Sequence, residues 1–154
     1  MITTSLQEFC QYFVPNAPIL ALDMGEKKVG FAISDRSRVM AMPLEVLRFE
    51  NDKKKIAYII GLLEKHKPCA IVIGLPLNMD GTDSEQTIKV REFASKLATL
   101  CKQVIYMQDE RMTSSAANSL LKSIGMNRKD RHQMDDQVAA CMILESVFDN
   151  LRHV

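Results

Sequence analysis

The sequence predicts an α/β domain built on a mixed sheet whose later strands are joined by helical crossovers. Three observations carry this. Two apolar runs, residues 19–22 and 29–34, are separated only by a short connection containing Gly25, which is the spacing of a hairpin. Two later apolar runs, residues 69–73 and 104–107, are each preceded by a segment whose apolar residues recur at helical spacing, so strand and helix alternate. The chain closes on a long apolar-striped segment, residues 134–152.

Taken in order, the first eighteen residues place Leu6, Phe9, Cys10 and Phe13 at helical spacing, with Ser5 and Glu8 as a capping box and Pro15 as a stop. They read as a short amphipathic helix preceding a single domain over residues 19–154. The hairpin follows, and residues 38–49 supply a third strand, with Pro43 marking an edge position or an interruption. Asn51 caps a helix whose Ile56, Ile59, Ile60 and Leu63 form one face, ending before Pro68. Residues 69–73 contain no polar side chain and read as a strand buried on both faces. After the loop "LPLNMDGTD", Thr82 and Glu85 are spaced as a capping box for a helix with the stripe Val90, Phe93, Ala94, Leu97 and Cys101. The strand at 104–107 runs directly onto Asp109, Glu110 and Arg111. Thr113 or Ser114 then caps a helix that closes at Gly125.

Composition limits the functional classes. With 154 residues, 47% hydrophobic and 25% charged, the chain suits one globular domain. Its apolar runs fall short of the ~18 residues of a membrane span, and its opening residues do not resemble a secretory signal. A formal charge of +1 supplies no global attraction to nucleic acid, so any basic surface must be local. Cys10, Cys69, Cys101 and Cys141 show no metal-ligand spacing and read as buried free thiols of a reducing cytosol.

Chemistry is expected beyond the carboxyl ends of parallel strands, where Asp23 and Glu110 both stand. An ionised carboxylate there must be solvated, paired or bound to a cation. Asp136 is the third candidate, because steps of 3, 4, 7, 8, 11 and 12 from it reach Ala139, Ala140, Ile143, Leu144, Val147 and Phe148. The same steps from Asp135 reach Ser146, a less purely apolar stripe. Either aspartate could instead cap the helix, and Asp23 could be a turn residue paired with Lys27 or Lys28. Converging acids would make an oxygen-ligand site for Mg²⁺ or Mn²⁺, and two such ions suit phosphodiester hydrolysis. From the residues alone, Asp23 as turn residue, nucleotide-phosphate loop or metal ligand all remain open.

Four stretches carry a family resemblance: "DMGEKKVGFAISD", "GLPLNMDGTDSEQTIKVREFA", "DERMTSSAA" and "DQVAACMILES". Together they span residues 19 to about 148, in the order and at the spacing of the YqgF/RuvX family of the RNase H-like superfamily, which the chain resembles. The resemblance implies a three-layer α/β fold with a five-stranded mixed sheet, three antiparallel strands extended by two parallel ones. It implies an acidic triad at Asp23, Glu110 and Asp136, a two-metal site for Mg²⁺ or Mn²⁺, and cytoplasmic nuclease activity. The substrate implied is the 16S ribosomal RNA precursor, processed at its 5′ end, with resolution of Holliday junctions as the alternative. The latter would favour a homodimer over a monomer, since two strands are cut.

The residues expected to contact nucleic acid are Arg111, through its planar fork, Lys27, Asn78 near the same edge, and Arg128, Lys129 and Arg131 in a basic loop, "MNRKDRHQ". Each also has an ordinary structural reading: Arg111 as a salt bridge to Asp109, Asn78 as a turn former, the basic stretch as a solvated loop. The chain departs from the family in its longer N-terminal segment, in Asp135, where an apolar residue is usual, and in Asp130, which interrupts the basic stretch. Two other classes share some of these features. An actin-type nucleotide-binding protein also begins with an Asp-x-Gly hairpin but needs two such domains, and a nucleic-acid-binding protein with little catalysis is compatible with the modest charge.

Overall fold

The structure, a computed structural model, describes residues 1–111 and 128–153, with residues 128–137 described by their backbone alone. Among the described residues, six strands form one sheet: β1 (Ile2–Thr3), β2 (Ile19–Met24), β3 (Lys28–Ser34), β4 (Ala41–Arg48), β5 (Ala70–Leu75) and β6 (Val104–Asp109). Their order across the sheet is β1-β6-β5-β2-β3-β4. The mixed sheet agrees with the sequence reading, but the strand number does not: six strands stand where five were expected. The additional one, β1, pairs in parallel with β6 through only two register pairs, Ile2 with Ile105 and Thr3 with Tyr106. A two-residue strand is too short to carry any hydrophobic period.

Among the described residues, four helices cover the sheet: α1 (Leu6–Cys10), α2 (Asp52–His66), α3 (Glu85–Ala98) and α4 (Arg128–Leu151). Strand alternation sorts the core into two layers. Leu20 and Leu22 of β2, Ile71, Ile73 and Leu75 of β5, and Ile105 and Met107 of β6 face α2 and α3. Ile19 and Ala21, Ala70 and Val72, and Val104 and Tyr106 face the other way, against α1 and α4. Residues buried on both faces give β5 its uninterrupted apolar run. Pro43 sits on β4, an edge strand, where a missing N–H does no harm.

Helix ends follow local chemistry. Asn51 accepts from the Lys54 N–H to start α2, and Lys67, in the left-handed region at φ 49°, closes it. The start of α3 differs from expectation: Ser84, not Thr82, is the cap, in a reciprocal capping box with Thr87. The Thr82 hydroxyl instead serves the preceding turn, donating to the Asp80 carboxylate at 2.6 Å and accepting from the Asn78 amide at 3.0 Å. The final helix begins at Arg128 rather than near Met134, so the basic stretch carrying Arg128, Lys129 and Arg131 has helical backbone instead of loop. The helix expected to run to Gly125 lies outside the described residues. The four cysteines are free and half-buried rather than fully buried. Among the described residues, no helix is long and apolar enough to cross a membrane.

Candidate active site

β2, β5 and β6 run parallel, so their carboxyl ends share one edge of the sheet. Asp23 lies near the end of β2, two residues beyond Ala21, and therefore on the face that packs against α4. Its partner across the hairpin is Gly30. On its other side, β2 and β5 are in register up to Leu22 and Ile73; the next residue on β5 is Gly74. Asp23 is thus flanked by a glycine on each neighbouring strand.

Glu110 approaches from the third strand. Its N–H donates to the Leu75 carbonyl at 3.2 Å, which turns the chain just after β6. Its carboxylate lies over the Gly74 backbone, where a Cβ would stand 2.5 Å from Oε2, 2.7 Å from Cδ and 2.6 Å from Ile143 Cδ1. Glycine at 74 is therefore a space requirement. Burial, reinforced by the charge of Asp23 and then of Asp109, pushes the Glu110 carboxyl up to about 8. Asp23 and Glu110 are thus held close enough to interact, and Glu110 favours its proton.

Asp136 belongs to α4, and its side chain is outside the described residues, as is that of Asp135. The helical backbone around them bears on two earlier readings. Because α4 starts at Arg128, positions 135 and 136 lie in its interior, where an N-cap role is unavailable. The helix residues buried on the sheet are Ala140, Ile143, Leu144, Val147 and Phe148, the stripe counted from position 136. Among the described residues, no group of three or more His, Cys, Asp or Glu side chains converges as a metal site.

Arg111 is exposed and bound on both sides of its fork. Nε and a terminal nitrogen donate to the Asp109 carboxylate at 2.9 and 2.6 Å, and the other terminal nitrogen donates to the Met79 carbonyl at 3.2 Å. This holds Asp109 below the usual carboxylate range and ties the end of β6 to the loop after β5. Asn78 serves that loop's own turn, donating its side-chain amide to Thr82 at 3.0 Å while its carbonyl accepts from Gly81. Lys27 is exposed in the hairpin turn, whereas Lys28, the first residue of β3, is half-buried. Two positions from Gly30, Lys28 shares the Asp23 face. The side chains of Arg128, Lys129 and Arg131 lie outside the described residues.

Gln108 was not singled out from the sequence. It pairs with Gly74, lies two residues beyond Tyr106 on the α4 face, and is 8% exposed, with Oε1 lacking a hydrogen-bond partner among the described residues. A polar residue at an inward position of an otherwise apolar strand is the signal that could have identified it.

A sequence model of the RuvX family, described as Holliday junction resolvase, matches residues 17–150. The chain belongs to the RuvX family. Its relatives include a protein of Rickettsia peacockii (strain Rustic), 48% identical over 154 residues and 100% of both chains, and one of Rickettsia conorii (strain ATCC VR-613 / Malish 7), 47% identical over the same span. Both bear the name "Putative pre-16S rRNA nuclease". The match covers these RuvX relatives from end to end, including the segment before residue 17. Among solved structures, the T. thermophilus RuvC in complex with Holliday junction substrate superposes with a TM-score of 0.52 at 13% identity, covering 88% of this chain and 96% of that one. The large terminase nuclease from thermophilic phage G20c gives 0.53 at 11% identity, covering 83% and 80%. At such identities the likeness concerns the fold, which is RNase H-like.

Proposed function

We propose that this RuvX protein is a divalent-metal-dependent nuclease that processes the 5′ end of the 16S ribosomal RNA precursor in the cytoplasm. Its enzyme class, a hydrolase of phosphodiester bonds, accompanies its family. The observation that carries the metal dependence is the placement of Glu110 across Gly74 toward Asp23. Two carboxylates have been brought together on a shelf cleared by glycines, at a cost in burial and repulsion that a hard cation would remove.

The donor set fits Mg²⁺ or Mn²⁺: hard carboxylate oxygens, with Glu110 able to reach over position 74 because no Cβ stands there. Asp23 and Glu110 would hold the metal, joined by Asp136 as the third ligand in a two-metal arrangement. Bound there, divalent cations supply charge neutralisation at the phosphate and activation of the attacking water. The chain's own groups do the rest. Glu110 must release its proton before it can act as a ligand, so metal occupancy is coupled to pH. Arg111 holds the loop after β5 against the end of β6, and its outward position suits contact with a flanking phosphate, with Lys27, Asn78, Arg128, Lys129 and Arg131 as further candidates.

The RNA substrate is supported by relatives of that name matching end to end. The family description favours a second reading, cleavage of four-way DNA junctions as a homodimer. One experiment separates them: precursor ribosomal RNA and a synthetic four-way junction are incubated side by side with protein and Mg²⁺ or Mn²⁺, using Asp23→Asn as the control for contaminating nucleases. Cleavage of the RNA by wild type alone supports the proposal. Cleavage of the junction alone transfers it to the second reading, and equal cleavage by the Asp23 variant removes the assignment.

A further inference from the structure

We propose that Lys28 and Arg48 form a phosphate track on the Asp23 face of the sheet, carrying the substrate strand from the acids out across β3 and β4. The inference rests on the nuclease reading and adds to it two residues and a direction. Its basis is strand register. Asp23 is opposite Gly30, Lys28 is two residues from Gly30 on the same strand, and Lys28 is directly opposite Arg48. Residues two apart on a strand, and residues directly opposite across a pair, share a face. Asp23, Lys28 and Arg48 therefore occupy one face at the same end of three adjacent strands. The shift in pairing between β3 and β4 falls between Gly30 and Ala32, beyond the pair in question.

Lys28 has an interaction of its own within the protein, and a second cation directly opposite it on the sheet adds repulsion. The surrounding surface shows the ordinary treatment of charge: Arg91 pairs with Asp83, Lys54 with Glu50, and Lys96 with Asp52. Arg48 has no hydrogen bond or ion pair with the described residues and is exposed at the end of the edge strand. Neighbouring strands are about 4.8 Å apart, which puts Arg48 roughly 10 Å from the Asp23 row, about three nucleotides of stacked strand at ~3.4 Å each. Gly30 adds no side chain between Lys28 and Ala32, so a backbone leaving Asp23 meets Lys28 first and Arg48 second. The track leads away from Arg111, which lies beyond β5 on the other side of the acids.

The test measures binding of a fluorescein-labelled single-stranded RNA by the full chain in EDTA, across a salt series, so that cleavage does not enter. Each lost phosphate contact should lower the slope of log K against log salt by about 0.7 for a single strand. Arg48→Ala and Lys28→Gln should each show that reduction with several-fold weaker binding, and Arg48→Lys should retain the slope. Lys65→Ala, in the last turn of α2, serves as the remote control and should match wild type. If the RNA is also cleaved, Arg48→Ala should raise KM several-fold with little change in kcat. A folded Lys28→Gln, Arg48→Ala double variant with wild-type affinity and slope overturns the track. Reduced slopes in a protein that cleaves neither RNA nor junction would leave the track standing and remove the nuclease reading, so the two failures are distinguishable.

Discussion

The carboxylate of Glu110 lies against the backbone of Gly74, with Oε2 2.5 Å from the point a Cβ would occupy. A middle strand without a side chain lets an acid from one neighbour reach toward Asp23 on the other. Substituting Gly74→Ala should therefore displace the Glu110 carboxylate and the tip of Ile143. Both are ends of flexible side chains, so the fold should survive with a loss of about 1–3 kcal/mol. Misplacing a reacting group by about 1 Å can cost ~10²-fold in rate. We expect cleavage to fall by that order while the melting curve stays cooperative; an unchanged rate would separate Glu110 from the chemistry.

Stability without metal should depend on pH through Glu110. Its folded value, about 8, is above the ordinary 4.5, so between those limits the folded chain binds the proton more tightly than the unfolded chain. The stabilisation is complete below about 4.5 and is lost as pH rises through 8. Melting temperatures in EDTA should accordingly decline from pH 5 to pH 9, and Glu110→Gln should flatten that part of the profile. Adding Mg²⁺ or Mn²⁺ at pH 8–9 should raise the melting temperature of wild type and leave the Gln variant little changed.

Asp135 and Asp136 are adjacent on α4, yet helical steps from position 136 reach all of the buried stripe Ala140, Ile143, Leu144, Val147 and Phe148, and those from 135 reach Ile143 and Val147 alone. Asp136→Asn should abolish metal-dependent cleavage as Asp23→Asn and Glu110→Gln do, and Asp135→Asn should retain most of it. Single-turnover cleavage by the four variants decides this. Greater damage at 135 would reverse the assignment.

Phe9 is fully buried in α1, with ring centroids 5.0 Å from both Phe13 and Tyr106. Truncating Phe9→Ala should cost about 3–5 kcal/mol, read by denaturant unfolding. A loss below 1 kcal/mol would show that the first residues are an appendage to the domain rather than part of its core.

Much of the molecule was legible in the chain itself, wherever the signal is local. The hairpin around Gly25, the cap at Asn51, the unbroken apolar run of β5 and the stripe of α4 all follow from spacing, because period and turn chemistry act within a few residues. Asp23 and Glu110 stood out because a carboxylate at the end of a buried run requires an explanation. The long-range pairings decided the rest. Whether Ile2 and Thr3 form a strand depends on the free edge of β6 a hundred residues away. Whether Thr82 or Ser84 starts α3 depends on how the turn from Asn78 to Thr82 closes, and Thr82 is used within it. That Gly30 and Gly74 flank Asp23, that Glu110 crosses the second of them, and that Lys28 rather than Lys27 shares the face with the acids are all consequences of strand register. Register is set by how the two core layers pack, and a shift of one residue would move every one of these side chains to the opposite face.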